Sequence, residues 1–157
     1  MLRKKSKRHF YIVTVIVVLL VIWTAWSNTT VGITHYTVAS DKLPASFDHY
    51  SIVVVSDLHN AEFGENNSQL IKLIEKEKPD IIVITGDLVD SNKTNIDIAQ
   101  KLVGTLTGIA PCYYVTGNHE AWLGEQYQEL ESILLDEGVA ILHDRAVQLI
   151  KNTESIQ

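Results

Sequence analysis

The sequence predicts an α/β fold, a parallel sheet with crossover helices, set behind one membrane-spanning helix. Three observations carry this. Short runs of β-branched and aromatic residues recur three times, as "SIVVV", "DIIVI" and "CYYV". Segments with apolar residues at helical spacing separate them. Near the N-terminus, Phe10 to Trp26 is a continuous apolar run, broken only by Thr14 and Thr24.

The N-terminal run follows a basic head, residues 1–9, and is assigned to residues 10–27 as a signal-anchor helix. At about 1.5 Å per residue it spans most of a hydrocarbon core of about 30 Å. Tyr11, Trp23 and Trp26 fall toward its ends, where amphipathic rings favour the interface. Arg3, Lys4, Lys5, Lys7 and Arg8 precede it and no cation follows before Lys42, which predicts a single-pass protein with a cytoplasmic N-terminus and an extracytoplasmic domain. A cleaved signal peptide is the competing reading, with Ala25 and Ser27 as small residues at a cut. The run exceeds the usual apolar segment of about 7–15 residues, which favours the anchor.

Residues 28–49 are read as a linker with one edge strand, "VGITHYTVA", and residues 50–157 as one domain. "YSIVVVS" is the first buried strand. "ENNSQLIKLIEKEK" follows as a helix, with Leu70, Leu73 and Ile74 on one face and Asn67 or Ser68 to cap it. Pro79 announces the strand "DIIVIT"; "NIDIAQKLVGTLTGI" is helical, and Pro111 stops it before the strand "CYYVT". "GEQYQELESILLDEG" is a third helix closed by Gly138, and "VAILH" and "AVQLI" read as two further short strands. Such alternation implies parallel strands with right-handed crossovers, and strands apolar throughout imply cover on both faces.

Composition bounds the function classes. Five of the 13 basic residues lie in the head, so the rest of the chain sets eight against all 19 acidic residues, a net of −11. That excludes general nucleic-acid binding, which needs clustered cations. The single cysteine, Cys112, excludes an internal disulfide and reads as a small buried residue.

Each long strand ends in related chemistry. "SDLHN" supplies Asp57 and His59, "TGDLVD" supplies Gly86 and Asp87, and "TGNHE" supplies Gly117, Asn118, His119 and Glu120. The interval from Asp57 to Asp87 equals that from Asp87 to Gly117. One strand and one crossover fill each interval, which brings the three loops to one rim at the carboxyl edge of the sheet. Carboxylate, imidazole and amide donors suit Zn, Mn or Fe, and a shared aspartate can bridge two ions.

The ordered set D-x-H, G-D and G-N-H-[ED], each after an apolar strand, resembles the calcineurin-like metallophosphoesterase family, and its bacterial membrane-associated or exported branch in particular. The resemblance runs from about Tyr50 to about Ile150. It implies an α/β/β/α sandwich, here incomplete, and a metal-dependent phosphoesterase in which a metal-activated hydroxide attacks phosphorus at a dinuclear site. By resemblance, Asp57 and His59 ligate the first of two divalent ions, Asp87 bridges both and Asn118 ligates the second. His119 stands by the phosphate as leaving-group acid or electrostatic stabiliser, with Glu120 and Asp90 orienting ligands. The tether points to envelope or lipid-linked phosphate esters as substrates.

The family's later histidines, a lone His and then G-H-x-H, have no counterpart here, since no G-H dipeptide occurs. His143 comes too early to replace them and reads as structural or exposed, as do His35 and His49. The expectation is therefore an N-terminal fragment with weak metal binding and an uncovered sheet face. A membrane-anchored, non-catalytic interaction domain is the alternative. An aspartyl-phosphate phosphatase is disfavoured, because His59 stands where D-x-D would place its second acid. Trp122 is expected to pack the third helix in preference to lining a substrate cleft.

Overall fold

Val53 and Val55 point to one side of their strand and Ile52 and Val54 to the other, and the two pairs meet different surroundings. The structure, a computed structural model, describes residues 2–157, with the side chains of 7–27 and 30–157. The cations Arg3, Lys4 and Lys5 fall outside the described side chains. Residues 1–32 and 33–157 form separate compact units.

The first unit is the helix α1 (Leu2–Thr29). Its stretch Lys7–Ser27 is long and apolar enough to cross a membrane. The two threonine hydroxyls inside it are satisfied by the helix itself: Thr14 Oγ1 donates to the Phe10 carbonyl at 3.0 Å and Thr24 Oγ1 to that of Leu20 at 2.7 Å. Neither leaves an unpaired polar group to face hydrocarbon.

In the second unit the strands β1 (Ile52–Val55), β2 (Ile81–Ile84), β3 (Cys112–Tyr114) and β4 (Ala140–Ile141) form one parallel sheet in the order β1-β2-β3-β4. Ile52 pairs with Ile81, Ile82 with Cys112 and Tyr113 with Ala140. The connecting helices are α2 (Ser68–Glu77), α3 (Ile96–Leu106), the short α4 (Asn118–Ala121) and α5 (Gln126–Asp136). Because the strand order never reverses, right-handed crossovers put every helix on one face. Accordingly α2 touches α3, and α3 touches α5.

That face carries the core. Ile82, Ile84, Cys112 and Tyr114 pack, all but inaccessible, against the layer that holds Ile74, Leu102, Leu106, Leu130 and Leu134. The expectation of cover on both faces is met only in part: Ile52 and Val54 on the opposite face of β1 are 49% and 61% exposed. A monotonic strand order leaves no helix for that side.

The predicted strand at 31–39 does not form. Tyr36 and Val38 are each 88% exposed, and with no neighbouring strand the segment has no ladder to join. A hairpin extends the "AVQLI" strand instead, β5 (Leu149–Lys151) pairing antiparallel with β6 (Glu154–Ile156). It is fastened to the start of the sheet. Lys151 Nζ donates to Asp80 Oδ1 at 3.1 Å, Ser51 N–H donates to Asp80 Oδ2 at 2.8 Å, and Ser46 N–H donates to Glu154 Oε2 at 2.8 Å. Burial would push the Asp80 carboxyl up, but the Ser51 N–H and the Lys151 ammonium outweigh it and hold the group below its usual range. Asn67 does precede α2, though it caps the turn before it, its Oδ1 accepting Phe63 N–H at 2.9 Å.

Candidate metal centre

Beyond the last strand pairs, the loops after β1 and β2 keep running side by side. Asp57 N–H donates to the Gly86 carbonyl at 3.3 Å, His59 N–H to that of Asp87 at 2.8 Å, and Asn60 N–H to that of Leu88 at 3.2 Å. To do so Asp57, His59 and Asp87 adopt left-handed backbones, with φ of 55°, 47° and 50°. Each such residue costs about 1 kcal/mol or more, a cost characteristic of functional loops.

Two glycines make the close approach of the second and third loops possible. A Cβ on Gly86, whose φ is +89°, would lie 2.4 Å from the Gly117 nitrogen; one on Gly117 would lie 2.3 Å from Asp87 Oδ1. Any side chain at either position drives the loops apart.

A buried carboxylate then locks them. Glu120, 1% exposed, accepts the N–H groups of Asp87 at 2.7 Å, Gly117 at 2.8 Å, Leu88 at 2.8 Å and Val89 at 3.3 Å. Glu120 thus acts on backbone and touches no predicted ligand side chain in this set. Its position three residues after the helix-capping Gly117 is a capping-box spacing, the signal by which the sequence advertises it. Next to it, burial pushes the Tyr114 phenol far above its usual range, and the Glu120 charge adds to that.

On this scaffold the predicted residues gather around Asp87. Asp87 Oδ1 accepts His119 N–H at 2.8 Å, and Oδ2 stands 3.8 Å from His59 Nε2. His59 Nε2 is 4.0 Å from Asp57 Oδ1, and Asp57 is exposed, with Ser56 Oγ donating to its other oxygen. The Asn118 carboxamide lies 3.2 Å from Asp87 Oδ2. Ligand atoms of His59, Asp87 and His119 all fall within 4.8 Å of one another.

This set fits a divalent cation. Donors sharing one ion at bonds of about 2.1 Å stand at most about 4.2 Å apart, and His59 Nε2 lies within that reach of both Asp57 Oδ1 and Asp87 Oδ2. The Asn118 amide is satisfied with its nitrogen donating to Asp87 Oδ2 at 3.2 Å and its oxygen accepting His119 N–H at 3.3 Å, so to ligate an ion beside Asp87 it would have to turn its oxygen over.

His119 differs from the other donors. Ser91 N–H donates to its Nδ1 at 3.1 Å, and Ser91 Oγ is 3.2 Å away. A backbone N–H can only donate, so Nδ1 accepts and the neutral ring carries its proton on Nε2. Asp90 Oδ1 lies 3.5 Å from the same Nδ1. The Asn92 N–H holds the Asp90 carboxyl below its usual range, against a burial effect, with the Asn92 side chain and the His119 and His59 rings assisting. Nothing in the sequence pattern singled out Ser91.

Three other residues fall elsewhere or otherwise than expected. Trp122 does not pack α5: it is 66% exposed and leans on the His119 ring, centroids 5.2 Å apart. His143 sits apart from the cluster, its Nε2 2.6 Å from Glu131 Oε1, at a cleft of about 240 Å³ shared with Thr116, Gly124 and Tyr127. His35 and His49 are exposed beside Glu77 and Asp48.

Residues 50–151 match the family model described as calcineurin-like phosphoesterase. The chain belongs to that family. As a calcineurin-like phosphoesterase it is 34% identical over 116 residues to an Aquifex aeolicus protein named as an uncharacterized metallophosphoesterase, covering 73% of this chain and 43% of that one. It is 29% identical over 149 residues to a Bos taurus transmembrane protein with metallophosphoesterase domain, covering 94% of this chain and 33% of the other. It is 38% identical over 95 residues to metallophosphoesterase YkuE of Bacillus subtilis, covering 55% and 32%. This calcineurin-like phosphoesterase therefore spans under half the length of these curated relatives. The names of the transmembrane relatives and the apolar helix α1 together support membrane anchoring.

Proposed function

We propose that this chain carries the metal-binding half-site of a membrane-anchored phosphoesterase that hydrolyses phosphate esters at a two-metal centre. The observation that carries the reading is the convergence of three strand-end loops on Asp87, with His59 Nε2 4.0 Å from Asp57 and 3.8 Å from Asp87, and with ligand atoms of His59, Asp87 and His119 within 4.8 Å of one another. Asp57 and His59 would hold one ion, Asp87 both, and Asn118 the second. Mn, Zn or Fe bound there supplies Lewis acidity toward water and toward the phosphoryl oxygens.

The chain's own groups supply the rest. Asp87 is oriented by the His119 N–H, and its loop is held by Glu120, so the donors are preorganised before a substrate arrives. Ser91 fixes the His119 proton on Nε2, the atom placed to protonate the departing oxygen. In the balanced reaction water adds to phosphorus, the ester P–O bond breaks, and the alcohol oxygen takes the His119 proton, which water restores. Residues 1–9 would face the cytoplasm, 10–27 would cross the bilayer, and the domain would lie outside, where envelope or lipid-linked phosphate esters are the fitting substrates.

The test is direct. The full chain, purified in detergent and reloaded with Mn²⁺, is expected to bind the ion weakly and to hydrolyse bis(p-nitrophenyl) phosphate slowly, in keeping with a half-site, and Asp87→Ala to lose both. Unchanged turnover in Asp87→Ala would sink the assignment. Absence of Mn²⁺ binding and hydrolysis in the parent chain would favour the non-catalytic interaction domain.

A further inference from the structure

The phosphoesterase reading leaves one large apolar side chain unexplained. Trp122 is 66% exposed, although it follows directly on α4, the helix that carries Asn118 and His119. Its ring centroid is 5.2 Å from that of His119, at an interplanar angle of 49°, and the His119 ring is in turn 4.3 Å from that of His59. The His119 ring thus touches both the His59 ring, among the candidate metal donors, and the exposed Trp122 ring. Packing of α5 would bury the indole, and it does not.

We propose that Trp122 is a leaving-group subsite, a stacking surface for a flat aromatic or heteroaromatic ring esterified to the phosphate. The inference rests on the phosphoesterase reading and adds the substrate class to it. If His119 protonates the departing oxygen, the atoms attached to that oxygen lie next to the His119 ring, and the Trp122 indole is in contact with that ring and open to solvent. An indole face and edge attract flat rings through offset or tilted stacking, and they offer a small alkyl group much less contact area. Truncation of such a platform costs about tenfold in affinity for a stacked ring.

Phenylphosphonate and methylphosphonate, which cannot be hydrolysed, separate the possibilities when titrated calorimetrically into the Mn²⁺-loaded full chain in detergent. The parent chain is expected to bind the phenyl compound about tenfold more tightly. Trp122→Ala should bring the ratio near one, and Trp122→Phe should keep most of the preference. A ratio unchanged in Trp122→Ala overturns the proposal, as does an equal weakening of both ligands, the mark of a structural role. Failure of the parent chain to bind either phosphonate overturns the phosphoesterase reading itself, and this inference with it.

Discussion

Replacing Glu120 by Gln is expected to be among the most damaging single-atom changes in the domain. The carboxylate accepts four backbone N–H groups, two on each oxygen. An amide of the same shape keeps one acceptor oxygen and turns an NH₂ toward the other pair. With the NH₂ facing Leu88 and Val89, the weaker pair, two donors are left facing donors in a site 1% exposed. Hydrogen bonds to a charged acceptor contribute about 1.5–3 kcal/mol each, so the loss is about 3–5 kcal/mol. Against a domain stability of about 5–15 kcal/mol that is a large fraction. Urea unfolding, followed by far-UV circular dichroism, gives the difference, and Mn²⁺ affinity should fall with it because the Leu88–Val89 backbone that follows Asp87 loses its clamp. A Glu120→Gln variant within about 0.5 kcal/mol of the parent, the range of an ordinary surface substitution, would refute the clamp argument.

Further expectations follow the same physics. Gly117→Ala should lower Mn²⁺ affinity and stability together, since its Cβ would sit 2.3 Å from Asp87 Oδ1; an Ala variant with parent-like affinity would show that the loops have slack. The Asp80 carboxyl is held below its usual range, so its contribution is present above pH about 4 and is lost as the pH falls through the folded-state value. Asp80→Asn should therefore be less stable than the parent at pH 6, by about 1 kcal/mol or less for so exposed a pair, and the difference should shrink as the carboxylate is protonated in acid. Leu19→Arg, near the middle of α1, should cost about 3 kcal/mol of insertion and move the chain from the membrane fraction toward the soluble one; unchanged partitioning would argue against a spanning helix.

The sequence alone determined the alternation of strands and helices, the place of the apolar N-terminal helix, and the three loops that carry Asp57, His59, Asp87, Asn118 and His119. Period and spacing are local properties, and equal intervals that end each strand in a donor leave few arrangements to consider. Tertiary structure decided what depends on neighbours. No strand forms at 31–39, where no strand among the described residues pairs with it. Helices cover one face because the strand order runs β1-β2-β3-β4 without reversal. Glu120 becomes a backbone clamp, Ser91 a tautomer lock and Trp122 an open rim, since burial and partnership arise from residues distant along the chain or from their absence. A residue's chemistry is written in its own side chain. Its environment is written in everything the fold brings alongside.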